Sequence, residues 1–190
     1  YADKSKAASI LKDEGAFENF RPPEFRTGSI TNLPVEDASV DAVVTSPPYL
    51  PAASGRETYL RSRAASLVAL GLMSEEEVLR TEEEIMGSIL ASADLQSALV
   101  PSSVRELAEW MLPQRARTAK ALPTVAYFEN LRLALQEIKR ALKQGGKGAM
   151  VVSKEHTFWE LSSREVVRRF DMVSALSDLI EKDEFGVCME

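Results

Sequence analysis

Val40-Asp41-Ala42-Val43-Val44-Thr45-Ser46-Pro47-Pro48-Tyr49 decides the reading of this chain: an apolar run that stops at two prolines and an aromatic ring. The run from Val40 to Thr45 is the kind of segment found in a parallel sheet covered on both faces. Proline carries no N–H and cannot continue a ladder, so Pro47 and Pro48 end the strand and leave the preceding carbonyls free. The residue before each proline is pushed toward extended geometry, which stiffens the turn. A hydroxyl, free carbonyls and a stacking ring therefore meet at one rigid point. That set suits gripping a planar group that carries an amine.

Working outward from the turn, Phe25 to Ile30 is expected to form a short strand, preceded by a loop at Arg21-Pro22-Pro23. Tyr1-Ala2-Asp3 is expected to end a strand, and Lys4 to Glu14 to form a helix stopped by Gly15. On the other side, residues 51–120 form a helical insertion. Arg56 to Leu70 has helical character. Ser74-Glu75-Glu76-Glu77 resembles a capping box that opens a helix running to about Leu90. Ser102 or Ser103 is expected to cap a helix that runs through Met111 and ends at Pro113. Tyr127, Leu131, Leu135, Ile138 and Leu142 then recur at helical spacing as one apolar stripe. Gly145-Gly146 is expected to supply the left-handed turn that ends this helix. A strand over Gly148 to Ser153, a helix over Arg164 to Lys182 and a strand over Phe185 to Met189 complete the order. Strand, helix, strand, insertion and renewed alternation predict an α/β domain with a mostly parallel sheet.

With 190 residues the chain suits one domain with an insertion. No apolar run is long enough to span a membrane and no signal peptide is visible. The single cysteine, Cys188, excludes an internal disulfide framework and a cysteine-based zinc cluster, and points to the cytoplasm. The single histidine, His156, excludes a multi-histidine metal site, so no metal is expected. A net charge of −6 weighs against a broad phosphate-binding face. Two local basic groups remain: Arg56, Arg61 and Arg63, and Arg115, Arg117 and Lys120. Each also fits a solvated helix face.

The Val40–Leu50 stretch resembles the catalytic motif of the S-adenosylmethionine-dependent amino-methyltransferases, which methylate the exocyclic nitrogen of cytosine or adenine in DNA. The similarity continues upstream through Gly28-Ser29-Ile30, Leu33-Pro34 and Asp37-Ala38-Ser39. It resumes downstream over Leu135 to Lys147, which is similar to the helix, glycine turn and following strand of those enzymes. About half the chain is covered. The resemblance implies a Rossmann-like class I methyltransferase fold over residues 1–50 and 121–190, with residues 51–120 as the target-recognition region.

For the site, it implies a catalytic set of Ser46, Pro47, Pro48 and Tyr49. Ser46 Oγ and the Pro47 carbonyl accept the two N–H groups of the base amine, and Tyr49 stacks on the flipped base. Asp3, Ser29, Ile30 and Thr45 are the cofactor-binding positions that it implies for S-adenosylmethionine, with Asp3 on the ribose hydroxyls. Asp3 as a helix cap is the alternative. Ser29 departs from the acid that many relatives carry there. The Phe-x-Gly-x-Gly loop that cradles the cofactor's methionine part does not occur, so the glycine-loop strand is expected upstream of Tyr1. Serine at the first motif position leans toward cytosine N4. The partner expected is DNA, with base methylation of RNA and a non-catalytic nucleic-acid or protein-binding module as alternatives. His156 and Trp159 are candidates for pocket lining, or for packing beside a loop. A docking peptide for a proline-reading module is the weaker reading, because such peptides lie in polar segments and not at the end of a buried strand.

Overall fold

The computed structural model describes residues 9, 23–50, 60, 63–160 and 162–182. Strand β1 (Val40–Thr45) is followed by α1 (Ala64–Ala69), α2 (Glu75–Glu84), α3 (Ser102–Met111) and α4 (Thr118–Ala141). Strands β2 (Leu142–Met150), β3 (Glu155–Trp159) and β4 (Val166–Asp171) and helix α5 (Met172–Lys182) complete the order. β1 and β2 pair in parallel across this long helical connection, while β3 and β4 form an antiparallel hairpin. Among the described residues the protein is therefore mixed α/β, with a small parallel sheet and flanking helices. No helix there is long and apolar enough to cross a membrane.

β1 occupies the bounds its sequence predicts, but it is not covered on both faces: Val44 is 80% exposed. Only one partner strand, β2, pairs with it among the described residues. The register runs from Val40 opposite Leu142 to Ala42 opposite Lys147, so β2 bulges out between these points. Gly145, at φ +79°, sits in that bulge. The left-handed glycine is thus a feature of the strand and not the stop of the helix. α4 has already ended at Ala141, where Leu142 turns extended at φ −70°, ψ 135°.

Three further expectations are corrected. Phe25 to Ile30 forms no strand; Ser29 makes an isolated bridge with Asn32, and Phe25 is 91% exposed. Helix α2 ends at Glu84, short of Leu90, because Ile85 is extended and Gly87 takes φ +88°. The single helix expected over 164–182 is instead strand β4 followed by α5. The β-branched pair Val166-Val167 joins a ladder with β3, in which His156 faces Phe170 and Phe158 faces Arg168. The expected helix over 4–14, apart from Ser9, lies outside the described residues, as do the strand over 185–189, Asp3, Arg56, Arg61 and Cys188.

The core lies where α3 and α4 meet the β3–β4 hairpin and α5. Leu50, Val104, Leu107 and Met111 pack there with Val125, Phe128, Leu131, Phe170, Met172 and Leu179. Phe128 meets Phe170 edge to face at 5.9 Å, and Trp110 meets Phe158 at 5.3 Å. The C-terminal end of α4 anchors the approach to β1. Arg140 donates to the carbonyls of Val35 (3.0 Å) and Leu33 (3.2 Å) and to the carboxylates of Asp37 (2.5 Å) and Glu137 (2.8 Å). Glu137 accepts from the Leu33 N–H at 3.0 Å, and the N–H groups of Ala38 and Ser39 bond the carbonyls of Arg140 and Ala141. The Arg140 fork beside it holds Glu137 below the ordinary carboxylate range.

Candidate functional site

Ser46 leaves β1 at its carboxyl end, the end of a parallel strand at which α/β proteins place their ligands. The turn it opens lines a cleft of about 170 Å³. Ser46 to Leu50 form one wall, Val151 to Ser153 after β2 another, and Tyr127, His156 and Met172 the rest. The Thr45 carbonyl accepts from the Val151 N–H at 2.9 Å, which carries the ladder one step past Met150 and ties the two walls together. Small-molecule pockets run to about 300–1,000 Å³, so this cleft suits one ring system rather than a whole dinucleotide.

Two contacts fix the turn. Tyr127, 1% exposed on α4, donates its phenolic O–H to the Pro48 carbonyl at 2.8 Å. From the other side, the Gly87 backbone presses on Pro48 and Tyr49. A Cβ at Gly87 would lie 3.2 Å from the Tyr49 carbonyl oxygen and 3.3 Å from Pro48 Cβ. Gly87 meets both demands, the close approach and φ +88°. The Pro48 carbonyl is thereby engaged within the protein, while Ser46 is exposed at the cleft. Tyr49 is 61% exposed, so its ring is presented to solvent and not buried as a core tyrosine.

The structure brings Ser46, Pro47, Pro48 and Tyr49 together with two residues of the C-terminal part, Ser153 and His156. Thr45 sits half-buried on β1 next to Ser46. Ser29 and Ile30 do not line the cleft: Ser29 Oγ lies 2.8 Å from Thr31 Oγ1 in an exposed turn, and Ile30 is 36% exposed. Asp3 is outside the described residues. Among the described residues no carboxylate lines the cleft to meet ribose hydroxyls. The described groups therefore fit a planar, amine-bearing ring and do not fit S-adenosylmethionine.

His156 is placed on β3, not in a loop, and lines the cleft at 8% exposure. Burial pushes its imidazole below its ordinary value, so it is neutral at pH 7. Trp159 stands at the far end of β3, 53% exposed, and does not reach the cleft. Its carbonyl accepts from Arg117, whose guanidinium also bonds Gln114 and lies 5.2 Å from the Trp110 ring centroid. Arg117 thus acts in packing. Arg63 and Arg115 are exposed.

Tyr127 falls in the apolar stripe of α4, and the stripe alone gives no role to its hydroxyl. A tyrosine in a buried stripe needs a partner for that group, and this was the available signal. Nothing local in the sequence marked Gly87. No family model, no curated protein and no solved structure matches this chain.

Proposed function

We propose that this protein is a nucleic-acid amino-methyltransferase that takes an exocyclic base amine, cytosine N4 in preference to adenine N6, into the cleft at Ser46–Tyr49. One observation carries the reading. A Ser-Pro-Pro-Tyr turn stands at the carboxyl end of a parallel strand, with its serine and its ring exposed at a cleft of single-ring size. The resemblance of Val40–Leu50 to the amino-methyltransferase motif names the chemistry. S-adenosylmethionine is the methyl donor of that chemistry, and its site needs groups beyond those that line the cleft.

The chain's own part is to hold and prepare the amine. Its lone pair is delocalised into the ring, which makes it a poor nucleophile. Ser46 Oγ and the Pro47 carbonyl accept its two N–H groups and draw the nitrogen toward a tetrahedral shape, freeing the lone pair. Tyr127 already bonds the Pro48 carbonyl, which leaves the Pro47 carbonyl as the freer backbone acceptor for the amine. Tyr49 supplies a stacking face for a base taken out of its helix. Most of the gain in rate then comes from position and fixed dipoles. Residues 51–120, which reach the turn through Gly87, are the proposed target-recognition region.

Incubation with S-adenosylmethionine and duplex DNA, followed by nucleoside analysis, tests this. N4-methylcytosine is expected. Methylation of bulk RNA alone would move the substrate to RNA. Absence of any methylated base would leave a base-binding module without catalysis.

A further inference from the structure

We propose that His156 is a base-reading residue of the cleft, donating an imidazole N–H to the ring nitrogen beside the bound amine; this rests on the amine-binding reading of the Ser46–Tyr49 turn. His156 is more than nine-tenths buried and lines the same cavity as Ser46 and Pro47. Among the described residues no group hydrogen-bonds its imidazole, and burial alone perturbs it. The imidazole is largely covered, but neither ring nitrogen is sealed off from solvent, so a ligand or water in the cleft can meet it.

The chemistry of the cleft says what that ligand presents. Among the described residues that line it there is no Asp, Glu, Lys or Arg, which suits an uncharged ring. Ser46 and Pro47 offer acceptors, which match an amine. Tyr127 already gives its hydroxyl to Pro48. A neutral imidazole offers one donor and one acceptor. Cytosine and adenine each carry an acceptor ring nitrogen next to the exocyclic amine, and His156 supplies the donor for it. Thymine and uracil present a carbonyl and an N–H at those places. Their carbonyl would face the Pro47 carbonyl acceptor to acceptor, and their ring N–H would face an imidazole N–H turned to the cleft donor to donor. The Pro47 carbonyl thus favours an amine over a carbonyl at this place, and the His156 N–H extends that preference to the neighbouring ring nitrogen.

The test uses the full chain and its single histidine, whose imidazole signals in an NMR spectrum need no assignment by mutation. Cytidine and adenosine are titrated in, with thymidine and 3-deazacytidine as controls, while Tyr49 ring signals report occupancy. The expected result is movement of the His156 signals with cytidine or adenosine. Binding should be about tenfold weaker for 3-deazacytidine, which lacks the acceptor nitrogen. His156→Gln, which keeps a donor, is expected to retain cytidine binding, and His156→Leu to lose about tenfold. If cytidine perturbs Tyr49 and leaves His156 unmoved, the role of His156 is overturned while the amine-binding reading stands. If no nucleoside moves either residue, both fall.

Discussion

Two residues that sequence alone did not single out hold the site's shape. Tyr127 ties down the Pro48 carbonyl with a hydrogen bond, and Gly87 leaves room for the backbone of Tyr49. Tyr127→Phe keeps the ring in the core and loses one hydrogen bond, so it should cost about 0.5–1.5 kcal/mol in denaturant unfolding. With the Pro48 carbonyl released, methyl transfer should fall more than binding of the base. A variant with wild-type turnover would remove Tyr127 from the positioning of the turn. Gly87→Ala forces a left-handed alanine against Tyr49 and should cost about 1–2 kcal/mol, with a displaced Tyr49 ring signal. Ser46 and Tyr49 were legible because proline chemistry fixes their backbone locally. Tyr127 and Gly87 were not, because their roles arise only when α4 and the segment after α2 are brought against the turn.

At the scale of elements, the sequence read best where the signal is local. Strand β1 has its expected bounds, and the Ser74–Glu77 capping box closes with both reciprocal bonds, Glu77 N–H to Ser74 Oγ at 3.1 Å and Ser74 N–H to Glu77 Oε2 at 2.7 Å. It failed where partners decide. Val166 to Asp171 has helix-compatible spacing, yet pairing with β3 makes it a strand. Helix α4 begins at Thr118, ahead of the stripe seen from Tyr127 onward, and contains Pro123. Proline there lacks the N–H of an interior helix bond; the Thr124 hydroxyl bonds the Lys120 carbonyl at 2.8 Å in the same turn. In the join between α4 and the segment before β1, one guanidinium adds four partners to the Leu33–Glu137 bond and the two backbone bonds from Ala38 and Ser39. Arg140→Ala severs its bonds to Leu33, Val35, Asp37 and Glu137 together, so the thermal midpoint should fall. Arg140→Lys should recover only part of the loss, because an ammonium lacks the planar fork. Equal midpoints for all three proteins would show that the network does not hold the approach to β1.

For the whole molecule, helix α3 within the 51–120 stretch, α4, the hairpin and α5 share one core, and the cleft opens at its edge. This couples the site to pH. His156 is buried neutral, so the native state binds fewer protons than the unfolded chain below the ordinary value of 6.5. The stability it contributes is fully present above that pH and is lost as pH falls through its lowered native value. Wild-type protein should therefore lose denaturant resistance as pH falls below about 6.5 more steeply than His156→Gln. Parallel curves would mean that the imidazole does not titrate in a buried place. Composition pointed to ordinary globular character, but it could not show which helices share the core, since that depends on contacts distant in sequence.

The most direct measurement of the central claim is single-turnover methyl transfer to duplex DNA by the wild-type protein and Ser46→Ala, with folding of the variant checked by its thermal midpoint. Loss of one of two acceptors aimed at the amine should lower the rate about 100-fold or more at an unchanged midpoint. Equal rates in the two proteins would contradict the assignment of the Ser46–Tyr49 cleft as the place where the amine is held.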